Sequence, residues 1–404
     1  MRKLRAFGAV AAAILGTSIW VAGCSPSGGE GVGGAANAGT AASGEPIRIG
    51  LIASLNGDQQ PWGVDSQRGA ALAVEEFNAA GGVNGRPVKL IVEDTNSRPE
   101  GGKSATEKLI GEDRVIAVIG EVASGITIQA ADVAESQGVP LVAVGATRTD
   151  LTEGKQFIFR ACFTDDFQGA ALAKFAYEEQ NLRRVAVMTD RRLPYSTGLS
   201  NRFKQVFTAL GGTIVGEEFY ESGKVDFMAQ LTRIKGMNPD GMFCSGYFTE
   251  VGPIARQRMT VGLNVQMLGG DGWDSTKLID AGGEGIIGGF FLNHYHNSEQ
   301  RPAVQNFVQK FQAKYGAPPA TAMGALGYDA TLVVLDALKR ATELTPQAVR
   351  DAIASTKDLE GVSGSITIGP DGNAQKPALV LEVRREGFVP VMQIEWFEFG
   401  RTAP

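Results

Sequence analysis

After Pro46 the chain alternates short β-branched runs with amphipathic stretches, and this alternation constrains the fold more than any other feature of the sequence. Residues 47–53, 88–93, 115–119 and 141–144 read as strands. The same beat resumes at 184–189, 213–219, 241–245 and 265–268. Between them lie helical patterns such as 67–79, where Ala71, Ala73, Val74 and Phe77 form one apolar stripe that stops at Gly81-Gly82. A strand followed by a helix and then another strand makes parallel sheets with helices on both faces. The two blocks match in length and rhythm, and residues 157–166 between them read as a crossover. Further helices are expected at 301–315, 323–341 and 346–355, then strands at 364–368 and 378–383. No Gly/Pro/Ser-rich linker interrupts 46–403, so the expectation is two interleaved doubly wound α/β lobes rather than separate beads.

Composition removes several function classes. The chain has 53 Gly among 404 residues, against a usual share of about 7%. With no period-three glycine pattern and 43% hydrophobic residues, it is neither collagen-like nor wholly disordered. Three Cys cannot build a disulfide scaffold or a Cys-rich zinc site, and two His exclude a three-His zinc site. Any Ser-His-Asp triad would have to use His294 or His296. His294-Tyr295-His296 could suggest a metal, but Glu299 is the sole Cys, Asp or Glu close by in sequence, too little to complete a site. There is no G-x-x-x-x-G-K-[ST] and no G-x-S-x-G. A net charge of −6 argues against nucleic acid as the main partner. No cofactor and no metal are expected.

The N-terminus reads as an address and a leash. Met1 to Arg5 is basic, Ala6 to Trp20 is apolar, and the run ends Val21-Ala22-Gly23-Cys24. This is a secretory signal (1–23) that resembles a bacterial lipobox, with Cys24 as the lipidated residue. The following stretch is rich in Gly, Ala and Ser and cannot bury enough surface to fold, so 24–45 is expected to be a lipidated tether. That places the folded part outside the cytoplasm, in the periplasm or at the cell surface, anchored to a membrane by lipid.

In open parallel sheets, ligands bind beyond the carboxyl ends of strands. Five loops fall there, opening at Gly120, Gly145, Asp190, Gly246 and Gly269. They carry Gly, hydroxyls, aromatics and Asp271 between glycines, a set that suits a small zwitterion. Ser124 and Thr147 can hold a carboxylate beside a helix start. Asp271 can pair with an ammonium, and Tyr195 and Tyr247 can form walls. Each also has an ordinary reading: Ser124 as a helix cap, Thr147 and Asp271 as turn residues, the tyrosines as core edges. Cys162 and Cys244 could pair, although free buried thiols are the simpler expectation.

These residues resemble the leucine/isoleucine/valine-binding proteins, the branched-chain amino-acid group of ABC-importer binding proteins. The resemblance runs from Ile47 to Trp396. It is carried by Arg68-Gly69-Ala70-Ala71 through Phe77-Asn78, by Gly81-Gly82-Val83-Asn84-Gly85, and by Val118-Ile119-Gly120 and Gly145-Ala146-Thr147. Gln168-Gly169, Gly269-Gly270-Asp271-Gly272-Trp273-Asp274 and Gly327-Tyr328-Asp329 complete it. It implies a type I periplasmic-binding fold, with two Rossmann-like lobes, three hinge crossovers and a cleft that closes on an amino acid. By motif, Ser124 and Thr147 would bind the α-carboxylate with backbone groups of Gly145 and Ala146. Asp271 would bind the α-ammonium, Tyr195 and Tyr247 would line the pocket, and Asp165 would stand at the hinge mouth. Trp62 falls where the family often has Tyr, which changes the shape of the side-chain pocket. Ala123 replaces a Cys that some members use in a disulfide.

The expected function follows. A monomeric, lipid-anchored protein captures an amino acid, neutral or branched-chain, between lobe one (46–163 plus 292–373) and lobe two (164–291 plus 374–404). It performs no chemistry on the ligand and hands it to the permease and ATPase subunits of an ABC importer. The alternatives are a sensor or scavenger for amides, urea or aromatic acids, and a lipoprotein that acts through protein contacts.

Overall fold

The computed structural model describes residues 44–398. The expected signal segment, Cys24 and the tether up to residue 43 lie outside the described residues. The first half opens with β1 (Ile47–Ala53), α1 (Gln60–Ala79), β2 (Val88–Asp94), α2 (Pro99–Gly111), β3 (Val118–Gly120), α3 (Ser124–Gln137), β4 (Leu141–Ala143) and β5 (Ile158–Arg160). The second block runs α4 (Asp165–Lys174), β6 (Arg184–Asp190), α5 (Pro194–Ala209), β7 (Thr213–Tyr220), α6 (Met228–Gly236) and β8 (Gly241–Cys244). It continues with α7 (Phe248–Thr260), β9 (Gln266–Gly269), α8 (Lys277–Gly282) and β10 (Phe290–Asn293). Then come α9 (Pro302–Tyr315), α10 (Met323–Arg340), α11 (Pro346–Ala354), β11 (Leu359–Gly361), β12 (Gly364–Ile366), β13 (Ala378–Arg384) and β14 (Gly387–Ile394).

Two sheets organise these elements. The first has the order β2-β1-β3-β4-β5, and every neighbouring pair is parallel. The second has the order β14-β13-β10-β9-β8-β6-β7, parallel from β10 to β7. Parallel strands need covered faces on both sides, and the strands comply. All of β1 except Arg48 is buried, and β8 is buried throughout. The chain passes between the two lobes three times, after β5, after β10 and after β12.

The structure departs from the sequence expectation in three places. Residues 157–166 are not only a crossover, because Ile158–Arg160 pairs with β4 before the chain leaves. Three residues are too few to show a period. The second lobe is not purely parallel. Strand β13 runs antiparallel to β10 and turns through Arg384–Gly387 into β14, a strand that the reading did not list. The largely buried β10 was also missed, being only four residues long and without alternation.

The returning helices belong with the first sheet because α10 packs on α1. Their crossing is backbone on backbone: a Cβ at Gly69 would lie 1.9 Å from the carbonyl oxygen of Gly324, and one at Gly327 would lie 2.3 Å from that of Ser66. In the third crossing segment Lys376 is buried, with its ammonium 3.5 Å from Asp329 of α10. Asp329 also accepts the Val362 and Ser363 N–H groups at 2.7 and 2.8 Å. The hinge is thereby tied to the helix that covers the first sheet. Gly69→Val should lower stability by about 3 kcal/mol or more, because the obstacle is a carbonyl that cannot swing aside; urea unfolding of the variant measures it.

Candidate functional site

The carboxyl ends of the two sheets face each other across a closed cleft, and the loops there are held by buried polar side chains. After β3 the chain turns at Glu121. One of its carboxylate oxygens accepts the Val122 and Ala123 N–H groups at 2.7 and 2.9 Å, and the other accepts the hydroxyls of Ser54 and Thr95 at 2.5 and 3.1 Å. Burial pushes its pKa upward against these bonds. This clamp sits beside Ala123 and delivers Ser124 as the first residue of α3. Ser124 is not the helix cap, since that position is Ala123 and no side chain caps it. Its Oγ instead accepts the Arg148 N–H at 3.3 Å, which leaves its proton available to a ligand.

The next loop is fixed from behind by Arg160. Its buried guanidinium donates to the carbonyls of Ala146, Arg148 and Thr149 at 2.9, 2.8 and 3.3 Å. The loop therefore holds its shape while Thr147 stands in the cleft. Thr147 is buried, and among the described residues its hydroxyl has no partner other than the nearby Asp165 carboxyl. A buried hydroxyl answered so sparsely in a cavity wall can take a ligand atom.

The opposite lobe supplies Tyr195, Tyr247 and Asp271. Tyr195 accepts the Gly272 N–H at 3.0 Å and stacks on Tyr247 with ring centres 5.2 Å apart. Trp62, from the first lobe, meets Tyr247 edge-on at 5.0 Å. Burial drives the hydroxyls of both tyrosines to remain protonated. Asp271 is held by Gln168, whose amide oxygen accepts the Asp271 N–H at 2.7 Å while its Nε2 donates to the Asp271 carboxylate at 3.1 Å. The other carboxylate oxygen lies 3.0 Å from Nε2 of His294.

The cleft holds a small cavity lined by Trp62, Val122, Ser124, Gly145, Thr147, Tyr195, Tyr247, Asp271, Gly272 and Met323. Seven of the expected site residues therefore meet at one cavity. Ala146 and Asp165 do not line it. The Ala146 carbonyl is consumed by Arg160, and Asp165 lies behind Asp271, linked to it through Gln168 Nε2 at 3.3 Å. Burial first, and then the Asp271 charge, raise the Asp165 pKa well above the usual carboxylate range. Sequence reasoning missed Val122 and Met323 as walls, and it considered His294 only as a metal ligand or a triad member. Among the described residues no group of His, Cys, Asp and Glu could hold a metal ion. Cys162 and Cys244 are separate, buried free thiols whose pKa values burial pushes up to about 12. A G-x-G-x-x-G spacing at 283–288 lies in the turns before β10, not between a strand and a helix, so it is no dinucleotide fingerprint.

Direct bonds join the lobes around the cavity. Trp62 Nε1 donates to the Asp274 carbonyl at 2.7 Å, Arg148 to the Pro194 carbonyl at 2.6 Å, and the Ala322 N–H to the Asp274 carboxylate at 2.6 Å. Burial raises the Asp274 pKa from 3.8 to about 7. A carboxyl raised on folding favours the folded state only while it holds its proton, so this contribution is present at low pH and is lost between about pH 4 and 7. Asp274→Asn, which keeps an acceptor and removes the ionisation, should therefore gain on the wild type by a few kcal/mol as pH rises from 5 to 8. Denaturation midpoints of both proteins across that range check the sign.

Comparison with known proteins agrees with this geometry. The family model described as periplasmic binding protein matches residues 46–387. The chain is 33% identical over 329 residues to the Leu/Ile/Val-binding protein BraC3 of Rhizobium johnstonii, covering 81% of this chain and 88% of that one. Among solved structures it is similar to a leucine-binding protein from Thermotoga maritima, at 37% identity and a TM-score of 0.83 over 86% of this chain and 99% of that one. It is also similar to a branched-chain amino-acid transporter substrate-binding protein from Streptococcus pneumoniae in complex with isoleucine, at 31% identity and a TM-score of 0.80 over 86% and 99%. With two α/β lobes closing on a polar-ended cavity and a family match across most of its length, the chain belongs to the periplasmic binding proteins.

Proposed function

We propose that this protein captures a neutral amino acid of the branched-chain kind in its cleft and delivers it to an ABC importer. The observation that carries the reading is the pair of ends of one cavity: the Ser124 and Thr147 hydroxyls from one lobe and, across from them, the Asp271 carboxylate from the other. In this reading the ligand carboxylate accepts from Thr147 and Ser124 at the N-terminus of α3, where the helix dipole favours an anion. The ligand ammonium pairs with Asp271. Trp62, Val122 and Met323 offer apolar surface to an aliphatic side chain. A ligand with a carboxylate but no amine would leave Asp271 facing no cation, which weighs against aromatic acids. Names of the relatives support the branched-chain assignment.

The division into lobe one (46–163 plus 292–373) and lobe two (164–291 plus 374–404) belongs to the same proposal, with the ligand touching both only when they close. So do the lipid anchor at Cys24, an extracytoplasmic location and a monomeric state. The protein does not transform its ligand; it holds it and passes it on.

A thermal-shift panel of the twenty amino acids, with urea and benzoate beside them, tests the reading. Leucine, isoleucine or valine should raise the midpoint, and calorimetry should then find one site per chain. A panel without any shift overturns the assignment and favours a role through protein contacts. Asp271→Asn should weaken amino-acid binding by about 3 kcal/mol or more, because the ammonium would enter a dry cavity without its charge partner; unchanged affinity by calorimetry removes Asp271 from the site.

A further inference from the structure

His294 is one of only two histidines in the chain, and it is buried directly behind Asp271. Its ring lies flat on Phe163, with centroids 3.7 Å apart and planes at 20°. Nε2 lies 3.0 Å from the Asp271 carboxylate, while Nδ1 is buried without a partner. This combination selects a protonation state. A proton on Nδ1 would be a buried donor with nothing to receive it, whereas a bare Nδ1 lone pair costs less, so the ring is neutral with its proton on Nε2.

We infer that His294 is a positioning residue for ligand capture: its neutral imidazole donates to Asp271, aims that carboxylate at the cavity, and ties affinity to the ring's own protonation. The inference rests on the amino-acid reading above. Asp271 would have Gln168 as a fixed donor on one oxygen and His294 on the other, with the Tyr195 hydroxyl beside it, and its remaining lone pairs face an ammonium. An imidazolium at His294 would instead satisfy the Asp271 charge internally and compete with the ligand.

The groups around the ring bear on this switch. Asp271 favours the charged ring, Lys376 from the third crossing opposes it, and burial is the largest influence, holding the ring below its ordinary pKa. Asp165, Cys162, Tyr195 and Tyr247 face Asp271 rather than the ring, and burial keeps Cys162 and both tyrosines uncharged. A ligand ammonium at Asp271 lowers the ring's pKa further. Affinity is then full above the free-state pKa of His294 and falls below it by up to about tenfold per pH unit.

Two measurements on the full chain test this. Long-range proton–nitrogen NMR on histidine-labelled protein, with His296→Gln for assignment, reads the tautomer directly. The expected result is an Nε2-protonated neutral ring whose titration moves to lower pH when L-leucine is added; an Nδ1-protonated or doubly protonated ring at neutral pH overturns the proposal. Calorimetry with L-leucine from pH 5 to 8 then compares wild type with His294→Gln, His294→Ala and Asp165→Asn. His294→Gln keeps a donor without the titration, so it should bind near wild-type strength at pH 7.5 and lose the acid limb. His294→Ala should bind about tenfold more weakly or worse. An acid limb that survives in His294→Gln but disappears in Asp165→Asn assigns it to Asp165 and overturns the proposal alone. A wild type that binds no amino acid at any pH overturns the amino-acid reading, and this inference with it.

Discussion

A parallel strand cannot return to its neighbour by a tight turn; it must travel back along a helix laid over the sheet. The rest of this molecule depends on that constraint. It covers both faces of each sheet with helices and leaves the carboxyl ends of the strands as the place where loops converge. When two such sheets share one chain and face each other end to end, ten loop and helix-start residues from distant parts of the sequence come to line one small cavity. The three passages between lobes let the chain bend there without breaking either sheet.

The cavity is built by burying polar groups and answering nearly all of them. Glu121 takes four donors, Arg160 reaches three carbonyls, and Gln168 grips Asp271 by both backbone and side chain. Each clamp fixes a loop that carries a cavity residue, so preorganisation is supplied by side chains outside the cavity itself. Against this background the Thr147 hydroxyl and the Asp165 Oδ2, both buried, have little but each other for a partner. The first faces the cavity; the second sits behind Asp271 as a carboxyl that burial keeps toward its protonated form.

Much of the fold could be read from periodicity. The strands at 47–53 and 184–189 and the helices at 302–315 and 323–340 are long enough for a pattern to declare itself, and the structure places them within a residue or so of the reading. What escaped is short or depends on distant partners. Ile158–Arg160 and Phe290–Asn293 have no period to detect, and β14 is a strand because β13 offers it an edge. The site divides in the same way. Ser124, Thr147, Tyr195, Tyr247 and Asp271 follow strand ends and could be located by that rule. Met323 enters from the start of α10, which lies close against α1 because Gly69 and Gly327 carry no side chain there. His294 and Asp271 are 23 residues apart in sequence, and only the pairing of β10 with β9 brings them into contact.

Closure and ligand binding are linked through contacts of two kinds. Trp62, Arg148 and Asp274 join the lobes directly, so part of the closed state's stability belongs to the protein alone. In the proposed mode of binding, a ligand bridging Ser124 and Thr147 to Asp271 would add contacts that exist only when the lobes meet, and it could shift the equilibrium by no more than that difference. The balance between the two has a functional consequence. Stronger direct contacts raise apparent affinity by populating the competent state, but they also hold the cleft shut when the ligand must leave. The direct contacts here are few, and one of them, at Asp274, involves a carboxyl that titrates near neutral pH. A cleft held together lightly by itself and firmly by its ligand is the arrangement that a capture-and-delivery protein needs.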